Sequence, residues 1–367
     1  MKLMLKKFII CFFILSVFLS GNTLAFCKAG DNVRIGYFHG GRCHLLYRAY
    51  INGNFKNSGL NVELFTATVE GRRLVKVPGN HDDYKKIIPT TTRMTGLEIV
   101  DHIMAGSLDG GTIGESSFLA SITKGLPIVA VASLGYTSKD KSCKALMLRN
   151  GIKINRPDDF KGKRFATRLS GPGDPAFLKE FFYTIGLDPE KDIAITENLP
   201  DEEIRDLLVD GKIDGVLSHL YGGASGVEHI LKENIGYLYT KMTWLNPEMS
   251  HAVLVFHKDF IERHPDKVSA IVEGYVRRIR LETGFSEEEK TNTKEWGLAV
   301  KKEFCGMDLP IFKSNPVVEL KLLKEIQKIL YRYGYLKNKA AIRGYINNSF
   351  VVRATKILKK EKASRVF

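Results

Sequence analysis

Cysteine is scarce in this sequence and long apolar runs are nearly absent, which excludes several classes of protein. The 367 residues include 5 cysteines, which form no Cys-x-x-Cys pair and no Cys/His spacing typical of a zinc site. After residue 25, no stretch is apolar for the roughly 20 residues that a membrane-spanning helix needs. The net charge of +14 comes without a basic module interleaved with aromatic residues, so nucleic-acid binding is not expected. With 44% apolar and 26% charged residues, the sequence is typical of a globular protein, and its length suffices for two domains.

Residues 1–25 have the features of a secretory signal peptide. Three lysines precede residue 8, residues 8–19 form a continuous apolar run, and residues 23–25 (TLA) put small side chains at the −3 and −1 positions of a cleavage site. The run is short for a membrane anchor, so export to the periplasm with cleavage is predicted in preference to anchoring. A lipoprotein anchor at Cys27 is not favoured, because bulky Phe26 occupies a position where that signal has a small residue.

Removal of this segment changes the charge and the cysteine count. The remaining chain has a net charge of about +11. Its four cysteines permit two disulfides in an oxidising compartment, in three possible pairings that the sequence leaves open. These residues are Cys27, Cys43, Cys143 and Cys305.

An internal repeat is the most informative feature of the chain. Residues 106–110 (GSLDG) follow a run with helical spacing and precede a short apolar strand, and residues 211–215 (GKIDG) do the same. The match extends upstream, where residues 32–39 (NVRIGYFH) and 163–170 (KRFATRLS) each begin a strand–helix–strand sequence. A repeat of this size predicts an α/β fold with two similar β-α-β-α-β lobes. Ligands of such folds bind beyond the carboxyl ends of the strands, so we expect a site in the cleft between the lobes.

The repeat also suggests the domain boundaries. Residues 26–138 and 250–367 are predicted to form lobe one together with the C-terminal helices, and residues 139–249 are predicted to form lobe two. The chain would then cross between the lobes twice, near residues 137–144 and 244–250.

Residues 68–95 interrupt the first copy of the repeat only. Loops of this length are commonly functional or act as lids. His81, Asp82 and Asp83 are residue types that bind metals, but a solvated turn is the preferred interpretation of this trio.

Several motifs, each weak alone, follow one another in an order that resembles a known family. They are RIGYFH (34–39), GNF (53–55), the two Gly-x-Leu/Ile-Asp-Gly units, GLP (125–127) and DFKGK (159–163). Over about residues 31–285, the chain resembles the solute-binding proteins of nitrate, sulfonate, taurine and pyrimidine-precursor ABC importers. The pyrimidine synthase of thiamine biosynthesis belongs to the same group. The resemblance implies the type II periplasmic-binding-protein fold, with two lobes joined by two hinge crossings around a ligand cleft.

The resemblance also implies a function. The chain would be a non-catalytic, monomeric receptor without a cofactor, which captures a small anionic, zwitterionic or heteroaromatic molecule and delivers it to an ABC permease. Two alternatives remain: an enzyme of the pyrimidine-precursor synthase type, and a ligand-sensing subunit for a membrane partner. The sequence has no recognisable catalytic triad or metal site, which favours the receptor.

Side chains that follow the strand ends are the candidates for ligand contact. Helix N-termini at these places expose N–H groups that attract anions, and Arg42 and Arg168 are able to bind an acidic group through two hydrogen bonds. The candidates are His39, Gly41, Arg42, Glu115 and Ser116 in lobe one, Arg168, Ser170, His219 and Tyr221 in lobe two, and Trp244 near the return crossing.

Each candidate also has a structural alternative. The two histidines would serve equally as hydrogen-bonded residues at strand ends, Arg168 as the partner of a structural acid, Ser116 as a helix cap, and Trp244 in wall packing. Glu115 is the most discriminating, because a buried carboxylate repels a pure anion and favours a cationic or hydrogen-bond-donating group. A zwitterionic or heteroaromatic ligand is therefore preferred to nitrate.

Overall fold

The computed structural model describes residues 32–38, 43–87, 91–92, 94–136, 142, 144–169, 171–219, 223–243, 250–284 and 312–364. No helix within these residues has both the length and the apolar content that a membrane span requires. The strands are β1 (Val33–Gly36), β2 (Val62–Thr68), β3 (Leu74–Lys76), β4 (Thr91–Thr92), β5 (Gly110–Ile113), β6 (Ile128–Tyr136), β7 (Lys144–Arg149), β8 (Arg164–Arg168), β9 (Ala194–Leu199), β10 (Gly215–His219), β11 (Gly236–Lys241) and β12 (Ser250–His257). The helices are α1 (His44–Ile51), α2 (His81–Ile87), α3 (Gly96–Met104), α4 (Glu115–Thr123), α5 (Gly173–Thr184), α6 (Asp201–Val209), α7 (Val227–Lys232), α8 (Lys258–Arg263), α9 (Pro265–Gly284), α10 (Leu320–Arg332) and α11 (Ser349–Ser364).

These strands form two sheets, which confirms the predicted fold of two α/β lobes. The first sheet has the order β3-β2-β1-β5-β12-β6, with β4 also paired to β2, and the second has the order β11-β7-β10-β8-β9. The two copies of the repeat are β1-α1-β2-α3-β5 and β8-α5-β9-α6-β10, and each contributes three parallel strands. An antiparallel strand lies beside each triplet, β12 next to β5 and β7 next to β10.

The aspartate of each repeat links the first and last of the three parallel strands near their amino ends. Asp109 donates its N–H to the carbonyl of Arg34 at 2.8 Å, and its carboxylate accepts the N–H of Arg34 at 2.8 Å. Asp214 makes the same two contacts with Arg164, at 2.7 and 2.9 Å. In both lobes the carboxylate extends the hydrogen-bond ladder between the first and last strands of the repeat, which explains why the motif occurs twice.

The start of α3 shows how local sequence sets an element. Thr95 accepts the N–H of Glu98 while the carboxylate of Glu98 accepts the N–H of Thr95, which is a capping box. Ile99, Val100 and Ile103 then fall on the buried face of the helix, as their spacing predicts.

The insertion at residues 68–95 extends the first sheet. β3 and β4 both pair with β2 in the antiparallel sense. Tyr84 of α2 packs on Tyr47 of α1 with ring centroids 5.0 Å apart, and Tyr47 stacks on Tyr37 at 5.6 Å. The described part of the insertion therefore adds to the core of the first lobe, and Asp83, which was predicted in a turn, lies in the first turn of α2.

The C-terminal helices pack in two places. α9 contacts α1 and α11, whereas α10 contacts both α4 of the first lobe and α5 of the second.

The two predicted crossings between the lobes lie almost wholly outside the described residues. Cys27, Cys143 and Cys305 also lie outside them. Cys43 is buried at the start of α1.

Candidate functional site

Three polar side chains meet at one edge of the second sheet. β8 and β10 are parallel, so their last residues, Arg168 and His219, lie at the same edge. β7 runs antiparallel to β10, and its first residue, Lys144, is the register partner of His219. This edge is the carboxyl end of the parallel strands, where α/β folds bind their ligands.

Asp174 connects the three. It lies in the first turn of α5, directly after the turn that follows β8. Its carboxylate is 3.3 Å from Lys144 Nζ, 3.3 Å from Arg168 Nη2 and 3.3 Å from His219 Nε2. All four side chains are buried; Arg168 is only 1% exposed. We call these four residues the charge cluster.

The charge cluster keeps Asp174 ionised. Burial alone would raise the pKa of this carboxyl group, but Lys144, the His219 N–H and Arg168 together hold the pKa well below its usual value. For His219 the surroundings favour the neutral form instead. Burial and the charge of Arg168 lower the pKa of the imidazole well below its usual value, and the attraction of Asp174 does not compensate. The cluster therefore contains two cations, one carboxylate and a neutral histidine.

The N-terminus of α4 lies opposite, on the first lobe. β5 ends at Ile113, and the helix begins at Glu115 without a side-chain cap on its first N–H groups. Glu115 and Ser116 are both buried. A Cβ atom on Gly173 would lie 2.5 Å from Ser116 Oγ and would displace that hydroxyl, so the two helix N-termini approach each other closely here.

A small cavity separates the two helix starts. Its volume is about 20 Å³, which is room for one or two water molecules and far too small for an organic solute. Entry of a solute would require the lobes to separate. The described residues that line the cavity are Phe38, Gly96, Gly114, Glu115, Ser116, Ser117, Lys144, Gly173 and Asp174.

Buried polar atoms at this site lack partners among the described residues. Examples are Nε and Nη1 of Arg168 and Oγ of Ser116. A buried N–H or O–H without a partner costs about 1–3 kcal/mol of stability. A hydrogen-bond acceptor within reach of these atoms would remove that cost. The arrangement is suited to binding a small molecule that carries a hydrogen-bond acceptor or an anionic group.

Four of the ten sequence-predicted site residues are described, and they fall into two groups. Arg168 and His219 belong to the charge cluster, and Glu115 and Ser116 line the cavity from the opposite lobe. The other six lie outside the described residues: His39, Gly41, Arg42, Ser170, Tyr221 and Trp244. No group of three or more His, Cys, Asp or Glu side chains that could hold a metal ion occurs in the described part of the chain.

Lys144 and Asp174 were missed by sequence reasoning. Asp174 had a usable signal, since it is an acidic residue in the first turn of a helix that begins directly after a strand ending in arginine. Lys144 had none in the local sequence, because its position depends on the antiparallel pairing of β7 with β10.

Comparison with known proteins identifies the family. A model described as NMT1/THI5 like matches residues 92–278, slightly more than half of the chain. The chain belongs to the NMT1/THI5-like family. This agrees with the resemblance found in the sequence. No curated protein sequence matches the chain significantly.

Solved structures with the same fold as this NMT1/THI5-like chain include both binding proteins and an enzyme. The periplasmic aliphatic sulphonate binding protein SsuA from Escherichia coli has 14% identity and a TM-score of 0.61, over 87% of this chain and 98% of SsuA. The periplasmic nitrate-binding protein NrtA from Synechocystis PCC 6803 has 13% identity and a TM-score of 0.60, over 89% of each chain. The desulfurization enzyme DszB has 10% identity and a TM-score of 0.56, over 88% of this chain and 99% of DszB. At these identities the likeness establishes the fold alone.

Proposed function

We propose that this NMT1/THI5-like chain is a receptor that encloses one small solute between its two lobes and delivers it to an ABC importer. The observation that carries the proposal is the position of the charge cluster. Buried Arg168 lies at the carboxyl end of β8 and contacts Asp174, which lines the cavity between the lobes, and two of its guanidinium nitrogens have no acceptor among the described residues. A solute that contacts both lobes would stabilise their closed arrangement.

The charges indicate the chemistry of the solute. Lys144 and Arg168 exceed Asp174 by one positive charge, and the N-termini of α4 and α5 add favourable dipoles, so one end of the solute is an anion or a strong acceptor. Glu115 lines the opposite wall and favours a donor or a cation. Among anionic, zwitterionic and heteroaromatic solutes, a zwitterion with separated charges fits this arrangement best.

The cellular setting follows from the same proposal. The features of residues 1–25 support export to the periplasm, and SsuA and NrtA, which share the fold, are periplasmic proteins by name. The partners would be the solute and a permease in the membrane, and the receptor would act as a monomer without nucleic acid or cofactor. The lobe boundaries remain those inferred from the repeat: residues 26–138 with 250–367, and residues 139–249.

An enzymatic role is the second candidate, because DszB shares the fold and is an enzyme. Two observations favour a receptor. His219 is already engaged with Asp174, and its lowered pKa makes it a poor base near neutral pH. Asp174 is held ionised by two cations, so it is a poor acid as well.

A panel of solutes tests the proposal. Purified protein is first analysed by native mass spectrometry for a co-purifying small molecule. Thermal shifts are then measured with taurine, alkanesulfonates, nitrate, amino acids and pyrimidines. A ligand present at a hundred times its Kd stabilises the folded state by about 2.7 kcal/mol, which is easily detected.

Two variants on one strand locate the binding site. Arg168→Gln removes the cation at the cleft end of β8, whereas Arg164→Gln removes one at the opposite end, where Arg164 contacts Asp214. The solute-induced shift is expected to disappear in Arg168→Gln and to persist in Arg164→Gln. Equal shifts in the two variants would contradict the assignment of the site, and conversion of a bound solute over hours would favour the enzyme.

A further inference from the structure

The C-terminal part of the chain connects the two lobes through α10, which packs on both α4 and α5. The segment at residues 317–346, which we call the C-terminal arm, is fixed at both ends to β6 of the first sheet. Just before the arm, the Ser133 N–H donates to the carbonyl of Pro316 at 2.8 Å; just after it, the Asn347 N–H donates to the carbonyl of Ala130 at 2.9 Å. The arm therefore belongs to the first lobe, yet its helix α10 also packs on α5 of the second lobe.

The main contact lies at the C-terminal end of α10. Arg332 Nη1 donates to both carboxylate oxygens of Glu180, at 2.8 and 2.6 Å, and the hydroxyl of Tyr333 donates to Glu180 Oε2 at 2.8 Å. Glu180 lies on α5 and is 9% exposed. Burial and the adjacent carboxylate raise the pKa of Tyr333, so its hydroxyl remains a donor at any physiological pH. The Arg332 side chain is 46% exposed, so solvent partly screens this ion pair, although its carboxylate partner is buried.

Further contacts extend this interface. The Tyr335 hydroxyl donates to Glu197 of β9 at 2.5 Å, and Lys179 of α5 lies 3.2 Å from the same carboxylate and 5.3 Å from the centre of the Tyr335 ring. The guanidinium of Arg332 also lies 4.9 Å from the centre of the Tyr183 ring. The arm therefore contacts both α5 and β9 of the second lobe.

Helix α5 takes part in both contacts between the lobes. Its first turn carries Asp174 and approaches Ser116 across the cleft, and its middle carries Glu180 against the arm. Separation of the lobes at the cleft moves α5 away from α4. Because the arm is fixed to β6 at both ends and α10 also packs on α4, a movement that carries α5 away from α4 would strain or break the contacts of Glu180.

We propose that Glu180, Arg332 and Tyr333 are positioning residues that hold the lobes together and set the proportion of closed molecules. The proposal rests on the proposed function, in which closure accompanies solute binding. A contact made only in the closed state raises its population, and the apparent affinity for a solute follows that population. Solute affinity would thus be set partly by residues that never touch the solute.

The test uses the full chain without any solute, and small-angle X-ray scattering as the measure of lobe separation. Arg332→Gln is expected to favour the open form by about two- to fivefold, because the lost ion pair is partly screened by solvent. The radius of gyration should rise accordingly. Tyr333→Phe removes one donor and should give a smaller rise in the same direction.

Arg277→Gln is the matched control. Arg277 of α9 makes an equivalent two-bond contact with Glu361 of α11, at 2.7 and 2.9 Å, but both residues lie in the first lobe. Loss of that contact should lower the unfolding midpoint in urea without changing the radius of gyration. Equal radii for Arg332→Gln and Arg277→Gln would overturn the proposal. Since no solute is used, such a failure would leave the binding test above unaffected, and a failure to find a solute would leave this measurement valid.

Discussion

The two lobes share one framework and differ in what they place at the cleft. In the framework, Arg34 and Asp109 of the first lobe make the same backbone and carboxylate contacts as Arg164 and Asp214 of the second. The glycine after each aspartate is also equivalent. A Cβ on Gly110 or on Gly215 would lie 2.6 Å from a carbonyl oxygen of the neighbouring antiparallel strand. The duplicated residues thus maintain the close packing of strands at the edge of each sheet opposite the carboxyl ends of the parallel strands.

The cleft ends of the same strands have diverged. Counting from Arg34 and Arg164, Phe38 in the first lobe corresponds to Arg168 in the second. Counting from the repeated aspartates, Gly114 corresponds to His219. The second lobe therefore supplies Lys144, Arg168 and Asp174, and the first supplies Glu115 and the uncapped N-terminus of α4. The residues at the strand ends thus differ between the lobes, whereas the framework at the opposite ends is the same.

The largest expected effect is on stability, and it distinguishes Asp174 of the charge cluster from Asp214 of the framework. Asp174→Asn leaves the buried cations of Lys144 and Arg168 without a counter-charge, which should lower the free energy of unfolding by about 3–5 kcal/mol. Asp214→Asn removes a contact with the half-exposed Arg164 and should cost about 1–2 kcal/mol. Urea denaturation of both variants at pH 7 checks the difference. Equal losses of unfolding free energy would mean that Asp174 contributes no more to stability than Asp214 does.

A smaller effect tests whether the framework is truly equivalent in the two lobes. Gly110→Ala and Gly215→Ala each push a Cβ against a backbone carbonyl, and each should lower the free energy of unfolding by about 1–3 kcal/mol. The control is Gly344→Ala, because a Cβ there has no neighbour within 4 Å. Similar losses for the two framework variants and none for the control are expected in urea denaturation. A large loss in one lobe only would mean that the repeated glycines have different roles.

Much of the fold could be predicted from the sequence because its signals are local. The Gly-x-Leu/Ile-Asp-Gly units and the apolar periodicity identify each lobe without knowledge of the other. Arg168 and His219 could be placed at the carboxyl edge of their sheet for the same reason, since each ends a strand of the repeat.

The remaining features depend on contacts between distant segments. Lys144 reaches the site only through the pairing of β7 with β10, and no local pattern specifies that pairing. The apolar stripe of α10 predicts a buried face, but it does not indicate that this face meets two lobes. Glu180 and Arg332, 152 residues apart, could be linked only by the structure.

The smallest effect concerns pH and belongs to the second lobe alone. His219 is neutral in the folded protein because its pKa is lowered well below the usual value, whereas in the unfolded chain it takes up a proton at a pKa of about 6.5. As the pH falls below that value the unfolded state binds the extra proton, so the folded state loses stability. The loss attributable to this residue should be about 1 kcal/mol between pH 7.5 and pH 6. His219→Gln should remove that part of the slope, as measured by urea denaturation at several pH values. The corresponding residue of the first lobe, Gly114, has no titratable side chain. If the unfolding free energy of His219→Gln keeps the same dependence on pH, the group that causes this dependence lies outside the charge cluster.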